Sequence, residues 1–361
     1  MRVMDGATYK ILDILARNLG RPMSIHELTG KMEQTYGGAY YSNIHEKIHE
    51  MAQENIIILS KSGKSSIISL YFENYLLIDL LAEMELIRKQ DFLRGKHEMQ
   101  MLIMEIDTFL HSMPFIKSIS LINPERNMKL NKAEIMFHLK SPNRKSNQEE
   151  TKIEINTIML NLQRMRNIKL DYLVLDDEIF LDLLKSNESN TVREMLHNKI
   201  TVFDPQGFWM SIRGEILRGT MIITEENEIH PAKISEDDLV FNLARFGYTE
   251  FGLKIKQDKP ICMEYIISTI MFHNDARRMD AIPIILAKNS KKVNYDLLLF
   301  LARKYDFEGK MLGILKALRN LVAHKMTNID EPIRLLDAMK IKEIKANTKS
   351  MKEKLRLYNV T

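Results

Sequence analysis

Two stretches of the chain gather residues that could do chemistry or read another molecule. The first is "YYSNIHEK" at 40–47, with two tyrosines, a serine, an asparagine and a lysine within eight positions. Hydroxyls and a carboxamide both donate and accept hydrogen bonds, and an ammonium seeks anions. The second is "MLGILKALRNLVAHK" at 311–325, in which Arg319 precedes His324 by five positions. A group that exchanges protons near neutral pH beside a fixed cation suits acid–base work next to a developing negative charge. His45 and His49 share the i, i+4 spacing of one helix face. No carboxylate or cysteine converges on them in the sequence, so no metal site is read there.

The elements that must position these residues are many. A chain of 361 residues buries a large core and divides into two or three domains. Charged residues at 28% and hydrophobic ones at 45% exclude a disordered chain. Fifty-two Lys and Arg against 48 Asp and Glu leave +4, too mild to announce a polyanion partner by charge alone. The single Cys262 excludes an internal disulfide framework and a cysteine-rich zinc site, and it fits a reducing compartment. "MRVMDGATYK" holds no apolar signal core and no run approaches eighteen apolar residues, so a cytoplasmic protein without a membrane partner is expected.

At the N-terminus, Ile11, Leu12, Ile14, Leu15 and Leu19 have helical spacing, and "GRP" at 20–22 stops that helix. Ser24 with Glu27 three residues on is a capping-box pattern for a short second helix. A third helix follows Gly37-Gly38, with Tyr41, Ile44, Ile48 and Met51 as its apolar stripe and Tyr40, Ser42, Asn43, Glu46 and Lys47 on the other face. "IIILS", a turn at 61–64 and "SSIISLYF" read as two strands joined through Gly63. Over about residues 5–72 this order resembles the winged helix-turn-helix domains of prokaryotic, archaeal-type transcription regulators. The resemblance implies that the third helix enters the major groove of double-stranded DNA. Tyr40, Ser42 and Asn43 would then read base edges, and Lys47, Lys61 and Lys64 would contact phosphates. Residues 1–72 are close to charge-balanced, with eight Lys and Arg against seven Asp and Glu, so a protein-binding role stays open beside the DNA reading.

Residues 73–112 read as a strongly apolar helical connector, interrupted near Arg94-Gly95, which suits contact with a second copy in a homodimer or, equally, packing on the chain's own next domain. The two-fold symmetry of palindromic DNA tips the reading to the dimer. Beyond Pro114, the strands "FIKSISLI" and "NKAEIMFHLK", a helix at 149–166, the strand "IKLDYLVLD" and the run "EMLHNKITVFDPQGFW" follow one another. This order, over about 95–213, resembles the nucleotidyltransferase superfamily. Active members carry Gly-Ser after the first strand and Asp-x-Asp on the second, which hold triphosphate and divalent ions. Here the first strand runs into Ile122-Asn123-Pro124, Glu134 is the one carboxylate on the second, and Asp171 matches the family's third carboxylate. The resemblance therefore implies an inactive domain with no metal and no cofactor.

The last third is helical in pattern, and from Lys325 it holds nine Lys and Arg against five Asp and Glu. Its Arg319…His324 spacing resembles the Arg-x(4–6)-His motif of HEPN domains. That motif would imply ribonuclease or toxin–antitoxin chemistry through those two residues.

The sequence thus predicts an α+β multidomain protein: a winged helix at 1–72, a connector at 73–112, a small α/β nucleotidyltransferase-like domain at 113–232 and an all-α domain at 233–361. The favoured function is transcription regulation by DNA binding, with a protein partner expected on the C-terminal helices.

Overall fold

Asp5 starts the first helix: its carboxylate accepts from the Thr8 amide at 2.8 Å and the Thr8 hydroxyl at 3.0 Å, capping amides that lack intrahelical partners. In the computed structural model, which describes residues 4–63, 65–110, 113–141, 145–252, 259–326 and 328–360, this helix is α1 (Gly6–Arg17), burying Ile11, Leu12, Ile14 and Leu15. Strand β1 (Met23–Ser24) leads into α2 (Ile25–Tyr36), where Ser24 and Glu27 close the capping box in both directions. After α3 (Tyr41–Gln53) come β2 (Ile57–Ser62) and β3 (Ser65–Leu70), antiparallel from Ile57↔Leu70 to Ser62↔Ser65. Gly63, at φ +61°, makes their turn. Met23 pairs with Ile68, so β1 flanks β3 on its other side and the order is β1-β3-β2.

The chain forms two units, each built from three segments: 1–141, 175–185 and 192–227 in the first, 142–174, 186–191 and 228–361 in the second. The first unit continues with α4 (Leu76–Leu93), α5 (His97–Leu110), β4 (Ile116–Ile122), α6 (Pro124–Lys129) and β5 (Lys132–Leu139). Asn123, at φ +45°, and Pro124 in the first turn start α6 directly after the strand. The second unit takes α7 (Lys145–Arg166) and most of β6 (Lys169–Asp176). The first resumes with α8 (Asp177–Lys185), most of α9 (Thr191–His197), β7 (Lys199–Phe203) and α10 (Pro205–Leu217). In its sheet β4 is central, antiparallel to β5 through Ile119↔Phe137 and Leu121↔Ile135 and to β7 through Leu121↔Ile200 and Ile122↔Lys199. Helices α4 and α10 pack on each other and on this sheet.

Within that unit the turn after α1 comes very close to 222–224. The Thr224 amide donates to the Leu19 carbonyl at 3.1 Å. Gly20 sits at φ +72°, where a Cβ would stand 1.9 Å from the Ile222 carbonyl oxygen. Both the left-handed backbone and the backbone clash oppose a side chain. Gly20→Ala is therefore expected to cost about 2 kcal/mol, read as a lowered midpoint in chemical denaturation; an unchanged midpoint would show that this approach relaxes freely.

The second unit is otherwise helical: α11 (Glu236–Arg245), α12 (Met263–His273), α13 (Ala276–Met279), α14 (Ala281–Lys288), α15 (Tyr295–Lys304), α16 (Glu308–Val322), α17 (Asp330–Ala338) and α18 (Thr348–Leu357). Helices α12 and α14 are buried nearly all round, as their unbroken apolar sequences require. Lys152 of α7 donates to Asp296 of α15 at 2.8 Å and to Glu331 of α17 at 3.1 Å, joining three helices through one buried ammonium. The protein is thus a mixed helix-and-sheet chain of more than one unit, and among the described residues no helix is long and apolar enough to cross a membrane.

Candidate nucleic-acid interface

The start of α3 faces solvent. Tyr40 is 71% and Tyr41 50% exposed, and Ser42 and Asn43 are exposed beside them, the Ser42 hydroxyl 3.3 Å from the Asn43 side-chain oxygen. Tyr40 occupies the N-cap position but gives no side-chain acceptor to the first-turn amides. Those amides carry the positive end of the helix dipole, a setting that favours an anion. The buried stripe of α3 is Ile44, Ile48 and Met51. Tyr41, expected in that stripe, lies outside it. At the first helical position its side chain leans back beyond the helix start, where no core extends. Its ring stands 5.8 Å from His45, which stands 4.5 Å from His49, so aromatic rings run along the exposed face at every fourth residue.

The three lysines fare differently. Lys61 is exposed on β2. Lys64 lies outside the described residues. Lys47 is held by Asp5 and by Glu50, both at 2.8 Å, with its side chain 17% exposed. Burial works against its charge, but the two carboxylates prevail and raise its pKa. A phosphate would have to displace them both, so Lys47 ties α3 to the start of α1. Glu46 and Glu50 are exposed on α3 as well, and repulsion from them directs any polyanion toward the N-terminal end of the helix.

Behind this face runs a chain of buried charges. Asp13 of α1 is fully buried and pairs with Arg17 at 2.9 Å and with Arg88 of α4 at 3.2 Å, and it accepts from the Tyr36 hydroxyl. Burial pushes the Asp13 carboxyl up, but Arg88 and Arg17 overcome it and leave its pKa lowered. Arg88 lies 3.7 Å from Glu85, which accepts from the Lys199 ammonium and, at 2.8 Å, from the Thr201 amide on β7. Lys199 lies over the rings of Phe208 and Trp209, 4.1 and 4.9 Å from their centroids. Burial and the neighbouring Arg88 lower its pKa against the pull of Glu85. No motif marks these charged residues as partners of one another. The signal was there: a charged letter inside an apolar run, as in "ILDIL" and "MELIRK", sits where helical phase puts the core.

The remaining candidate residues are divided between the two units. Glu134 is 2% exposed and accepts from Lys132 at 2.7 Å. Asp171 is wholly buried in the second unit. Among the described residues no three His, Cys, Asp or Glu side chains gather closely enough to hold a metal ion. Arg319 is on α16, 3.5 Å from Asp330. That helix ends at Val322, and His324 sits exposed on a separate 3-10 turn, Ala323–Lys325. The two therefore do not share one continuous helix, as the sequence had suggested. A Ser–His–Asp grouping also occurs: Ser118 pairs across strands with His138, whose Nε2 lies 2.8 Å from Asp177, itself 2.6 Å from Lys117. Asp177 is held down to about 2 by His138 and Lys117, which outweigh its burial. Ser118 and His138 have no exposed surface, and neither the Ser118 hydroxyl nor His138 Nδ1 has a hydrogen-bond partner, so the serine is opposite the histidine only in strand register. Comparison with known protein families, curated proteins and solved structures finds no match to this chain.

Proposed function

We propose that the chain is a DNA-binding transcription regulator whose first 72 residues work as a winged helix. In this reading the start of α3 enters the major groove, Tyr40, Ser42 and Asn43 meet base edges, and Lys61 of the hairpin follows the phosphate backbone. Lys47 acts as a strut instead of a phosphate contact. The elements from β4 onward serve as an inactive, nucleotidyltransferase-like scaffold. The helices of 233–361 offer a surface for a partner or a second copy.

The observation that supports this most is the exposed, polar and uncapped start of α3 on a helix whose other face is locked into the core. Polar groups in the open gain nothing for folding; placed at a helix start beside a hairpin they match what groove recognition needs. Fluorescence anisotropy with DNA from upstream of the chain's own gene tests the reading. Asn43→Ala should weaken binding to the best fragment about 10–100-fold while leaving random DNA unaffected, since one good base contact is worth about 1–3 kcal/mol. Lys61→Gln should weaken all sequences alike and reduce the salt slope by about one unit. If the parent and Asn43→Ala bind every fragment equally, α3 does not read bases.

A further inference from the structure

The first unit contains a cavity of about 500 Å³ between α4, α5 and the sheet. Leu93, Ile103 and Ile106 line it from the helices, and Ile119, Leu121 and Ile135 from β4 and β5. It opens to solvent at its rim, where Met104 is 61% and the Arg94 side chain 81% exposed, so a ligand can enter without unfolding the unit. It falls within the range that encloses small organic ligands. Its polar edge is mainly cationic and amide: Lys89, Arg94, Gln90 and Gln100 against the single carboxylate of Asp107. The Gln100 carboxamide already donates to the Leu93 carbonyl at 2.8 Å, and Arg94 pairs with Asp91 at 3.0 Å. Lys89 is the half-buried cation of the set. Its ammonium donates to the Val202 carbonyl on β7 at 2.8 Å, which is a neutral partner for a charged group.

We propose that this cavity binds a small amphipathic organic anion, with its apolar body between α5 and the sheet and its acid group on Lys89. Burial lowers the pKa of Lys89 with only Asp107 opposing, and an incoming carboxylate would add negative charge at an ammonium whose hydrogen-bond partner is the neutral Val202 carbonyl. The site is also placed to be heard. Lys89 follows Arg88, which grips Asp13 of α1, and Val202 follows Thr201, whose amide is held by Glu85. An anion that draws Lys89 away from Val202 acts on the two elements, α4 and β7, that the buried charges connect to the N-terminal helices. On the DNA-binding reading given above, the bound anion thus regulates how α3 is presented.

The full chain is titrated with 8-anilinonaphthalene-1-sulfonate, and the dye is then displaced by decanoate, decanol or decyltrimethylammonium below their micellar concentrations. Decanoate should compete at least 10-fold better than decanol, and the cation worst. Lys89→Met should erase the preference for decanoate over decanol, and Ile103→Trp should remove binding of both. Dye binding that is absent, or decanoate and decanol competing equally on the parent, overturns the site without any variant. Saturating decanoate should also shift the anisotropy-measured DNA affinity of the parent about fivefold or more and leave that of Lys89→Met unmoved. Decanoate binding with its Lys89 dependence, in a chain that binds no DNA, upholds the anion site and sinks the DNA reading alone.

Discussion

Arg88→Met should lower the stability of the first unit by about 3–5 kcal/mol, the largest loss expected from any single polar substitution in it. Methionine keeps most of the volume, so the loss does not come from a cavity. Arg88 is 7% exposed and stands between two buried carboxylates, 3.2 Å from Asp13 and 3.7 Å from Glu85. Removing it leaves Asp13 to Arg17 and Glu85 to Lys199, so each buried carboxylate loses the guanidinium the two share. Chemical denaturation at pH 7 reads the effect. The double variant Asp13→Asn/Arg88→Met should recover at least about 1 kcal/mol relative to the sum of the single changes, because each partner is costly chiefly when the other is alone. Strictly additive losses would show that the two do not sense each other. The pH dependence has a definite sign. The Asp13 pKa is lowered on folding, so its contribution is complete above the ordinary aspartate range and fades as pH falls through the folded value.

Glu264→Gln should do the reverse and stabilise the second unit at pH 8 by about 2–3 kcal/mol. Glu264 on α12 is 4% exposed, and its carboxylate accepts from the Asn294 amide at 2.7 Å. Burial raises its pKa to about 7, against the lowering effect of that amide. Between about pH 4.5 and 7 the folded chain keeps a proton that the unfolded chain has released. Stability therefore falls as pH rises through that window, by about 3 kcal/mol once pH 7 is passed. Glutamine retains an oxygen for Asn294 and carries no charge to bury. Denaturation at pH 5 and pH 8 should show the parent losing stability between them and Glu264→Gln losing much less. Equal pH dependence in the two proteins would place the titrating group elsewhere.

The N-terminal elements were legible because their signals are local. The Ser24–Glu27 box, the stop at Gly20 and the hairpin through Gly63 all rest on contacts within a few residues. The strands at 116–122 and 132–139 were legible as unbroken apolar runs. What escaped depends on partners far apart in the chain. Tyr41 obeys the helical period, yet the period does not say where the core ends. Lys47 reads as a free cation until Asp5, 42 positions earlier, is seen beside it. Asp13 and Arg88 sit at core phase in their helices, yet which buried partner each meets is set by contacts 75 positions apart, and only the fold joins them to Lys199. Helix α6 was missed because six residues starting at a proline carry no period to detect. The same holds for the candidate interface: its residue types were visible in the sequence, while the uncapped helix start and the loss of Lys47 to an ion pair were not.

The chain passes between its two units at residues 142, 175, 186, 192 and 228, and this sets a timetable for synthesis. Strand β4 can pair with β5 as soon as both have left the ribosome, since they are neighbours in sequence. Its other edge waits for β7, and from Ile122 to Lys199 is 77 further residues. At about 5–20 residues per second that wait lasts roughly 4–15 s. For that interval "IKSISLI" presents a bare, apolar strand edge, the kind of surface that recruits other nascent chains. The helices at 145–166 and 177–185 emerge during it. The N-terminal helices and hairpin are made before that interval, but the turn after α1 also waits, since its partner at 222–224 follows β7.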